Sequence, residues 1–401
     1  MKIYYLVLLV GWFLFLNVKT DAQKLDSEEF HIHRSDLNHS FQKFQKEKSG
    51  RVVFLGGSIT HNPGWRDSVC RFLQQKFPET NFDFINAGIP SMGSTPGAFR
   101  FERDVLKNGP VDLLFVEAAV NDDTNRRTPE EITRGMEGII RHAKTANPDC
   151  DIIIMYFVDP GKMIDYRNRE VPEVIQLHEK VARHYGISII NLAKEVTERI
   201  DTKEFSWDDD FKDLHPSPFG QQVYFYSMKS FLETAIEVSE NNRQINMFSI
   251  PDPIDVYSYA NGHLVEPNPN KRIKGWEMIE DWNPQDGKGT RNNYVNVPML
   301  VGEYPGKIIK FHFKGNAVGI AVAAGPDAGI IEYSIDNSEW EKQDLFTQWS
   351  KGLYLPWYYT LAAGLKDGNH ILQIRMTTER NAESIGRKCI LRYFYFNGVE
   401  K

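Results

Sequence analysis

The chain has 401 residues, of which 41% are hydrophobic and 25% are charged, and its formal net charge is −7. This composition is that of an ordinary globular protein and excludes a low-complexity chain, while the length predicts two domains. The acidic balance disfavours nucleic acid and anionic membrane surfaces as partners, and it leaves the oligomeric state open.

Residues 1–22 predict an export signal. Lys2 supplies a positive start, and Tyr4–Val18 is almost wholly apolar but too short for a comfortable membrane span. Small residues at Thr20 and Ala22 then suit cleavage before Gln23. We therefore expect an exported protein, periplasmic or extracellular, with no stable membrane insertion after the signal is removed.

Residues 23–245 predict a first domain of the α/β class. Apolar strand-like runs alternate with longer amphipathic stretches, a pattern typical of a parallel sheet with helices on both faces. A final helix should begin at Pro218, with Ser217 as its N-cap. The expected strands are Val52–Leu55, Phe82–Asn86, Leu113–Val116, Ile152–Val158 and Ile187–Asn191, and the other expected helices are Trp65–Phe77, Ala98–Leu106, Pro129–Ala146 and Pro172–Tyr185.

Residues 246–401 predict a second domain of β type. Short runs rich in β-branched and aromatic residues are separated by turn signals such as Asp336-Asn337 and Asp367-Gly368-Asn369. Many short strands with such turns are typical of an antiparallel β-sandwich or jelly roll. The domain is a candidate for carbohydrate binding, because Trp340, Trp349 and Trp357 could stack on sugars. Core packing is the alternative for these aromatic residues, and Leu355–Tyr359 could instead pack the two domains together.

The three cysteines, Cys70, Cys150 and Cys389, do not form a disulfide framework. Their number is odd, and none has the spacing of a metal site. We expect buried or partly buried thiols that act as small hydrophobes. No sequence feature calls for a metal ion or a cofactor.

Four short blocks lie at the predicted strand ends of the first domain. Ser58 follows the first strand, Asn86–Gly93 the second and Glu117–Asp122 the third, and Asp213–Pro216 precedes the last helix. The carboxyl ends of parallel strands share one edge of a sheet, where ligands bind, so the first three blocks can converge. The fourth block joins them if the last helix starts at that edge.

The residue types in these blocks complement one another chemically. A serine hydroxyl such as that of Ser58 is a weak nucleophile unless a neighbouring base takes its proton. Histidine suits that role, and a carboxylate can fix its tautomer. The oxyanion formed on an ester carbonyl then needs donors, which the N–H of Ser58, a backbone N–H of the second block and the amide of Asn121 could supply.

The ordered set Gly56-Gly57-Ser58-Ile59, Asn86/Gly88/Gly93, Val120-Asn121-Asp122 and Leu214-His215-Pro216 resembles the SGNH (GDSL-like) hydrolases over roughly residues 50–235. The resemblance implies a flavodoxin-like sheet and metal-free ester hydrolysis through an acyl-enzyme. By matching motifs, Ser58 is the nucleophile, Asn121 the oxyanion-hole amide and His215 the general base. An exported hydrolase of this kind with a C-terminal β-domain resembles bacterial esterases that remove acetyl groups from polysaccharides, so an acetylated polysaccharide or oligosaccharide is the expected substrate.

The sequence departs from the family pattern at four places, one of which is Ala119-Val120 in place of the Gly that often precedes the Asn block. Gly57 stands where the family usually has Asp, and the usual oxyanion glycine aligns with Ser91, while Gly93 lies two residues further on. The family places the triad acid three residues before the histidine, where this chain has Lys212. Asp213 is our first choice for that acid and Asp210 the second, and a Ser–His dyad is the third possibility.

Two features close to these blocks have competing interpretations. Trp65 either lines the substrate entrance or packs on the domain. The charged stretch Arg100–Asp104 either places a charge near the pocket or, as we expect, forms an exposed helix face with ion pairs.

Two alternatives to a carbohydrate acetylesterase stay open at this point. A lipase-like or thioesterase activity would use the same residues on longer acyl chains. A non-catalytic carbohydrate-binding protein would keep the fold without the activity, and the displaced acid motivates that alternative.

Overall fold

The computed structural model describes residues 25–241, 248–268 and 273–399. The predicted export signal, residues 1–22, lies outside these ranges. Across the described residues, no helix combines the length and the apolar character that crossing a membrane requires.

The first domain is built on a six-stranded sheet in the order β1-β6-β5-β4-β2-β3. Its strands are parallel except β1, which pairs antiparallel with β6. All five predicted strands are present, and the predicted parallel α/β fold is confirmed. The strands are β1 (His31–Ile32), β2 (Ser49–Gly56), β3 (Asn81–Gly88), β4 (Leu113–Glu117), β5 (Asp151–Met155) and β6 (Ser188–Ile190).

Ten α-helices connect and cover this sheet in the described part of the chain. The last begins at Pro218 as predicted, and the Ser217 hydroxyl accepts a hydrogen bond from the N–H of Gly220 at 3.2 Å. The helices are α1 (Asn38–Glu47), α2 (Ser58–His61), α3 (Trp65–Lys76), α4 (Ser94–Phe99), α5 (Ala119–Thr124), α6 (Pro129–Ala146), α7 (Pro160–Arg167), α8 (Glu173–His184), α9 (Leu192–Asp201) and α10 (Pro218–Asn241), with 3₁₀-helices at Ser27–Phe30 and Asn292–Tyr294 and π-helices at Glu102–Leu106 and Trp207–Phe211.

The second domain is one all-antiparallel, curled sheet in the order β12-β11-β13-β10-β14-β9-β8, with β7 paired to β14. The predicted β-sandwich-like class is confirmed. The strands are β7 (Gly262–Val265), β8 (Trp276–Trp282), β9 (Val297–Gly302), β10 (Ile309–Ala324), β11 (Gly329–Ile335), β12 (Glu341–Asp344), β13 (Leu355–Arg380) and β14 (Cys389–Gly398).

The predicted turn at 367–369 is wrong. Gly315 pairs with Gly368 and Ala317 with Ala363, so a bulge accommodates the extra residues and β13 continues through it. Gly364 has a φ of +72°, a conformation that glycine adopts readily. Bulges use the residue types that also mark tight turns, which explains why the sequence pattern misleads here.

The two domains share a continuous apolar core. Phe99 packs on Tyr395 with ring centroids 4.4 Å apart, and an Arg127 Nη2–H donates to the carbonyl of Tyr358 at 2.9 Å. The run Leu355–Tyr359 therefore packs the domains together. The segment 248–261 joins the same assembly, because the carboxylate of Glu137 accepts backbone N–H groups from it.

The cysteines behave as expected. Cys70 is partly buried, Cys150 and Cys389 are buried, and all three are free thiols. Burial raises the pKa of Cys70 to about 12, so this thiol is protonated at neutral pH.

Candidate active site

Ser58 lies at the carboxyl edge of the parallel sheet. Strand β2 ends at Gly56, and Ser58 opens the short helix α2 after Gly57. A Cβ atom at Gly57 would lie 1.9 Å from Oδ1 of Asn121, so only glycine fits between the strand and that amide. The glycine that departs from the family pattern is therefore the residue that lets Asn121 approach the serine's backbone.

His215 lies in the turn between the π-helix Trp207–Phe211 and α10. Its Nε2 is 2.7 Å from Oγ of Ser58, a hydrogen bond between the predicted base and the predicted nucleophile. Phe211 is fully buried beneath the turn, and the N–H of Ser217 donates to its carbonyl at 2.9 Å. The buried side chain of Phe211 and this backbone hydrogen bond hold the turn in place, and they therefore restrict the positions that the imidazole of His215 can occupy.

Neither predicted acid forms a hydrogen bond with the imidazole. Oδ1 of Asp213 is 3.8 Å from Nδ1 of His215 and instead accepts the backbone N–H of His215 at 2.5 Å. The carboxylate of Asp210 accepts the N–H of Ser206 at 2.8 Å. Among the residues that the structure describes, no group accepts a hydrogen bond from Nδ1, so the identity of the acid stays a prediction.

The predicted oxyanion donors come from two adjoining segments. A Cβ atom at Gly93 would lie 2.1 Å from Oδ1 of Asp122, which places the Gly93 backbone against the residue next to Asn121. Ser91 has a φ of +72°, and its carbonyl accepts a hydrogen bond from Nδ2 of Asn125 at 2.9 Å. Gly93, Ser91 and Asn121 therefore lie on one side of the site, and their roles as donors stay predictions.

Residues 54–223 match the model of the GDSL-like lipase/acylhydrolase family. The chain contains a GDSL-like lipase/acylhydrolase domain. The match spans Ser58, Asn121 and His215, which confirms the resemblance inferred from the four blocks and indicates an ester hydrolase. No curated protein matches the sequence.

Two solved structures share the fold over nearly the whole chain. One is a two-domain esterase, CEX, active on acetylated mannans, with 18% identity and a TM-score of 0.74 over 93% of this chain and 99% of that chain. The other is the same esterase with mannopentaose, with 19% identity and a TM-score of 0.73 over 94% and 98% of the two chains. At this identity the likeness shows a common two-domain fold.

A fully buried acid–histidine pair lies behind Asn121 and Gly93, the predicted oxyanion donors. Oδ2 of Asp122 is 2.9 Å from Nε2 of His178, and neither side chain is exposed. The other oxygen of Asp122 accepts the N–H of Ser94 at 2.8 Å, at the start of α4. One carboxylate thus joins α4, α5 and α8 directly behind Asn121 and Gly93.

A buried lysine extends this support. Lys162 on α7 is fully buried and pairs with both Asp159 and Asp123, the latter at 3.2 Å and two residues beyond Asn121. Glu117, at the end of β4, accepts the N–H of Val120 at 3.1 Å. Burial raises the pKa of Glu117 to about 7. Sequence reasoning placed Glu117 in the third block without expecting its burial, and it missed Lys162, because nothing in the local sequence pattern marks a charged residue as buried.

Two interpretations near the site are decided by burial. Trp65 is fully buried and packs edge-on against Phe54 in the core, with its Nε1–H donating to the carbonyl of Ile59 at 3.3 Å, so it does not line an entrance. At Arg100–Asp104 the expected ion pairs are present and Glu102 is exposed. The expected exposure is wrong for Arg100, which is fully buried and donates to the carbonyl of Gly56 at 3.3 Å. Its ion pair with Asp104, at 2.9 Å, neutralises the charge that this burial would otherwise leave unpaired.

Proposed function

We propose that this chain is a serine esterase that hydrolyses acetyl or other short acyl esters on a carbohydrate. The hydrogen bond of 2.7 Å between Ser58 Oγ and His215 Nε2 carries the proposal. It joins a hydroxyl at the mouth of an α/β sheet to a base, within a family of ester hydrolases.

In the proposed reaction, Nε2 of His215 takes the proton of the Ser58 hydroxyl as Oγ attacks the ester carbonyl carbon. The negative charge on the carbonyl oxygen is stabilised by Asn121, the N–H of Ser58 and the N–H of Gly93 or Ser91. The same imidazole then returns the proton to the departing sugar oxygen, leaving acyl-Ser58. Water, deprotonated by His215, releases the carboxylic acid and restores the serine.

The carbohydrate part of the proposal is supported by two observations. The fold neighbours include an esterase active on acetylated mannans. In this chain a loop of the β-domain contacts α5, the helix that contains Asn121, since Nε2 of Gln348 donates to the carbonyl of Thr124 at 3.2 Å. The next residue, Trp349, leaves 47% of its surface exposed beside that helix. An exposed indole on a loop that contacts the helix of Asn121 is a suitable platform for a sugar ring.

Ser58→Ala tests the catalytic part. Acetate release from p-nitrophenyl acetate and from acetylated mannan should fall by at least about a thousandfold, because the nucleophile is lost. His312→Ala, an exposed histidine on β10, should leave both rates at the wild-type value. Equal rates for Ser58→Ala and wild type would remove Ser58 from the mechanism. A protein that binds acetylated glycans without hydrolysing any of them would instead be the non-catalytic alternative.

Trp349→Ala tests the carbohydrate part. KM for acetylated mannan should rise roughly 2- to 10-fold, with little change for p-nitrophenyl acetate, because only the polymer reaches a stacking platform. Trp340→Ala is the matched control, since that indole packs against the guanidinium of Arg375 at 4.1 Å. The same screen on acetylated xylan, pectin and sialylated glycans identifies the preferred polymer.

A lipase-like or thioesterase activity is the second candidate, favoured by the description of the matched family. An acyl-length series of p-nitrophenyl esters separates the two functions. A rate that falls steeply beyond short chains supports the acetylesterase, and a rate that rises with chain length supports a lipase.

We also propose export, on the basis of the apolar segment Tyr4–Val18 behind Lys2. Expression in the source cell with N-terminal sequencing of the mature protein tests this. A mature chain starting at Gln23 in the periplasm or medium supports export, and an intact Met1 in the cytoplasm contradicts it.

A further inference from the structure

Three side chains of types that can bind a metal ion meet at the start of the first domain, beside β1, which three strands separate from β2 in the sheet. Glu28 lies in the first 3₁₀-helix, His31 opens β1 and His33 directly follows that strand. Oε1 of Glu28 is 3.1 Å from Nδ1 of His31, and Oε2 is 3.0 Å from Nε2 of His33. One ligand atom from each residue lies within 4.8 Å of the other two.

The hydrogen bonds around His31 fix its tautomer. Nε2 of His31 is 2.9 Å from the hydroxyl of Ser227, which is itself 2.5 Å from Oε2 of Glu195. Glu195 forms an ion pair with Arg199 at 2.8 Å and is therefore an acceptor. The single hydroxyl proton of Ser227 goes to Glu195, so Ser227 accepts the Nε2–H of His31. A neutral His31 then carries a lone pair on Nδ1.

That lone pair points at a carboxylate oxygen. Oε1 of Glu28 already accepts hydrogen bonds from Ser230 at 2.9 Å and Thr234 at 3.1 Å, so this oxygen acts only as a hydrogen-bond acceptor. Two acceptors 3.1 Å apart repel unless a positive species lies beside both. A metal cation satisfies both atoms at once.

We propose that Glu28, His31 and His33 bind a zinc ion that fastens the start of the first domain to α10. Two imidazole nitrogens and a carboxylate oxygen are a donor set that Zn²⁺ favours. The side chains of Glu28 and His33 are 32% and 31% exposed, so water can reach the remaining coordination position.

The surroundings supply the outer contacts that such a site needs. Ser227 orients the His31 ring, and Ser230 and Thr234 hold the carboxylate, all three from α10. His33 stacks on Phe231 of the same helix with ring centroids 4.3 Å apart. Zinc bound here would therefore stabilise the docking of α10, the helix that begins three residues after His215.

The test is a calorimetric titration of the untagged, metal-stripped full chain with ZnCl₂, together with thermal unfolding. We expect one ion per chain at this site and a rise in Tm with zinc. His33→Ala should weaken that binding by at least about 100-fold and abolish the rise, because even losing an outer contact costs about 10- to 100-fold in metal affinity. His312→Ala, the exposed histidine on β10, should behave like wild type.

Glu28→Gln is the second variant, since its side-chain oxygen still accepts from Ser230 and Thr234 while the charge is lost. It should also lose tight zinc binding, and Co²⁺ added to the wild type should give the visible bands of nitrogen and oxygen ligation. Zinc binding that is equally tight in wild type and His33→Ala, or absent from wild type, overturns the site. Ser58→Ala should bind zinc like wild type, so this outcome is independent of the proposed esterase activity.

Discussion

The two halves of the candidate active site are held in opposite ways. The proposed oxyanion half, with Gly93 and Asn121, rests on buried charged side chains that include the Asp122–His178 pair. The proposed base half is the turn around His215, whose side chain is 48% exposed beside a 67% exposed Asp213. One half is fixed by desolvated side-chain contacts, and the other mainly by its own backbone.

The difference follows from what each half has to do. Donors that stabilise an oxyanion act most strongly when they are fixed in advance and shielded from water. A general base has to exchange its proton during turnover, and an exposed imidazole does this readily. Changes to the oxyanion half should therefore cost stability as well as rate, whereas changes to the turn should cost rate alone.

The largest effect should come from Lys162→Met, which tests whether the buried charges hold the oxyanion half. Removing this fully buried ammonium leaves Asp159 buried without its partner, a change that typically costs about 3–5 kcal/mol of stability. Urea unfolding measures the loss. Lys194→Met removes an exposed ion pair with Glu198 and should cost no more than about 1 kcal/mol. Equal losses in the two variants would contradict the comparison.

Asn121→Asp tests the donor itself. The side chain keeps its shape but loses its N–H donors and gains a negative charge where the oxyanion develops. The rate should fall about 10²- to 10³-fold, equivalent to about 3–4 kcal/mol. Steady-state kinetics should place the loss in kcat, with KM for p-nitrophenyl acetate little changed. A loss confined to KM would assign Asn121 to substrate binding.

Much of this arrangement was predictable from the sequence, for identifiable reasons. The strands and the blocks that contain Ser58 and Asn121 can be recognised from local sequence patterns. The start of α10 can be recognised from Ser217 and Pro218. The burial of Arg100, Lys162 and the Asp122–His178 pair was not predictable, because each is stabilised by a partner distant in sequence. The bulge in β13 was misread, since a glycine-rich segment looks the same in a bulge and in a hairpin.

Glu117→Gln tests whether the buried carboxyl group behind the site titrates, through the pH dependence of the free energy of unfolding. The folded-state pKa of Glu117 is raised from 4.5 to about 7, so the folded protein retains a proton that the unfolded chain has already released. The contribution of Glu117 to stability should be largest below pH 4.5 and should decline as the pH rises through 7, by about 3 kcal/mol in total. The glutamine variant lacks this titration, so its stability should depend less on pH across that window.

Urea unfolding between pH 4.5 and 8 measures this difference. Glu130→Gln, an exposed glutamate in the first turn of α6, is the matched control and should follow the wild-type curve. Parallel curves for wild type and Glu117→Gln would show that Glu117 does not titrate in this range.

The smallest effect should come from the turn, in Asp213→Asn. The carboxylate is 3.8 Å from Nδ1 of His215, beyond hydrogen-bond distance, and it accepts the backbone N–H of His215 instead. Asparagine can accept the same N–H, so kcat should fall less than about tenfold. A carboxylate that fixed the imidazole tautomer would give a loss of about 10⁴-fold on the same change. Measured beside Asp210→Asn on p-nitrophenyl acetate, a loss of that size at either position would identify the triad acid and show that the turn closes around it in the reacting enzyme.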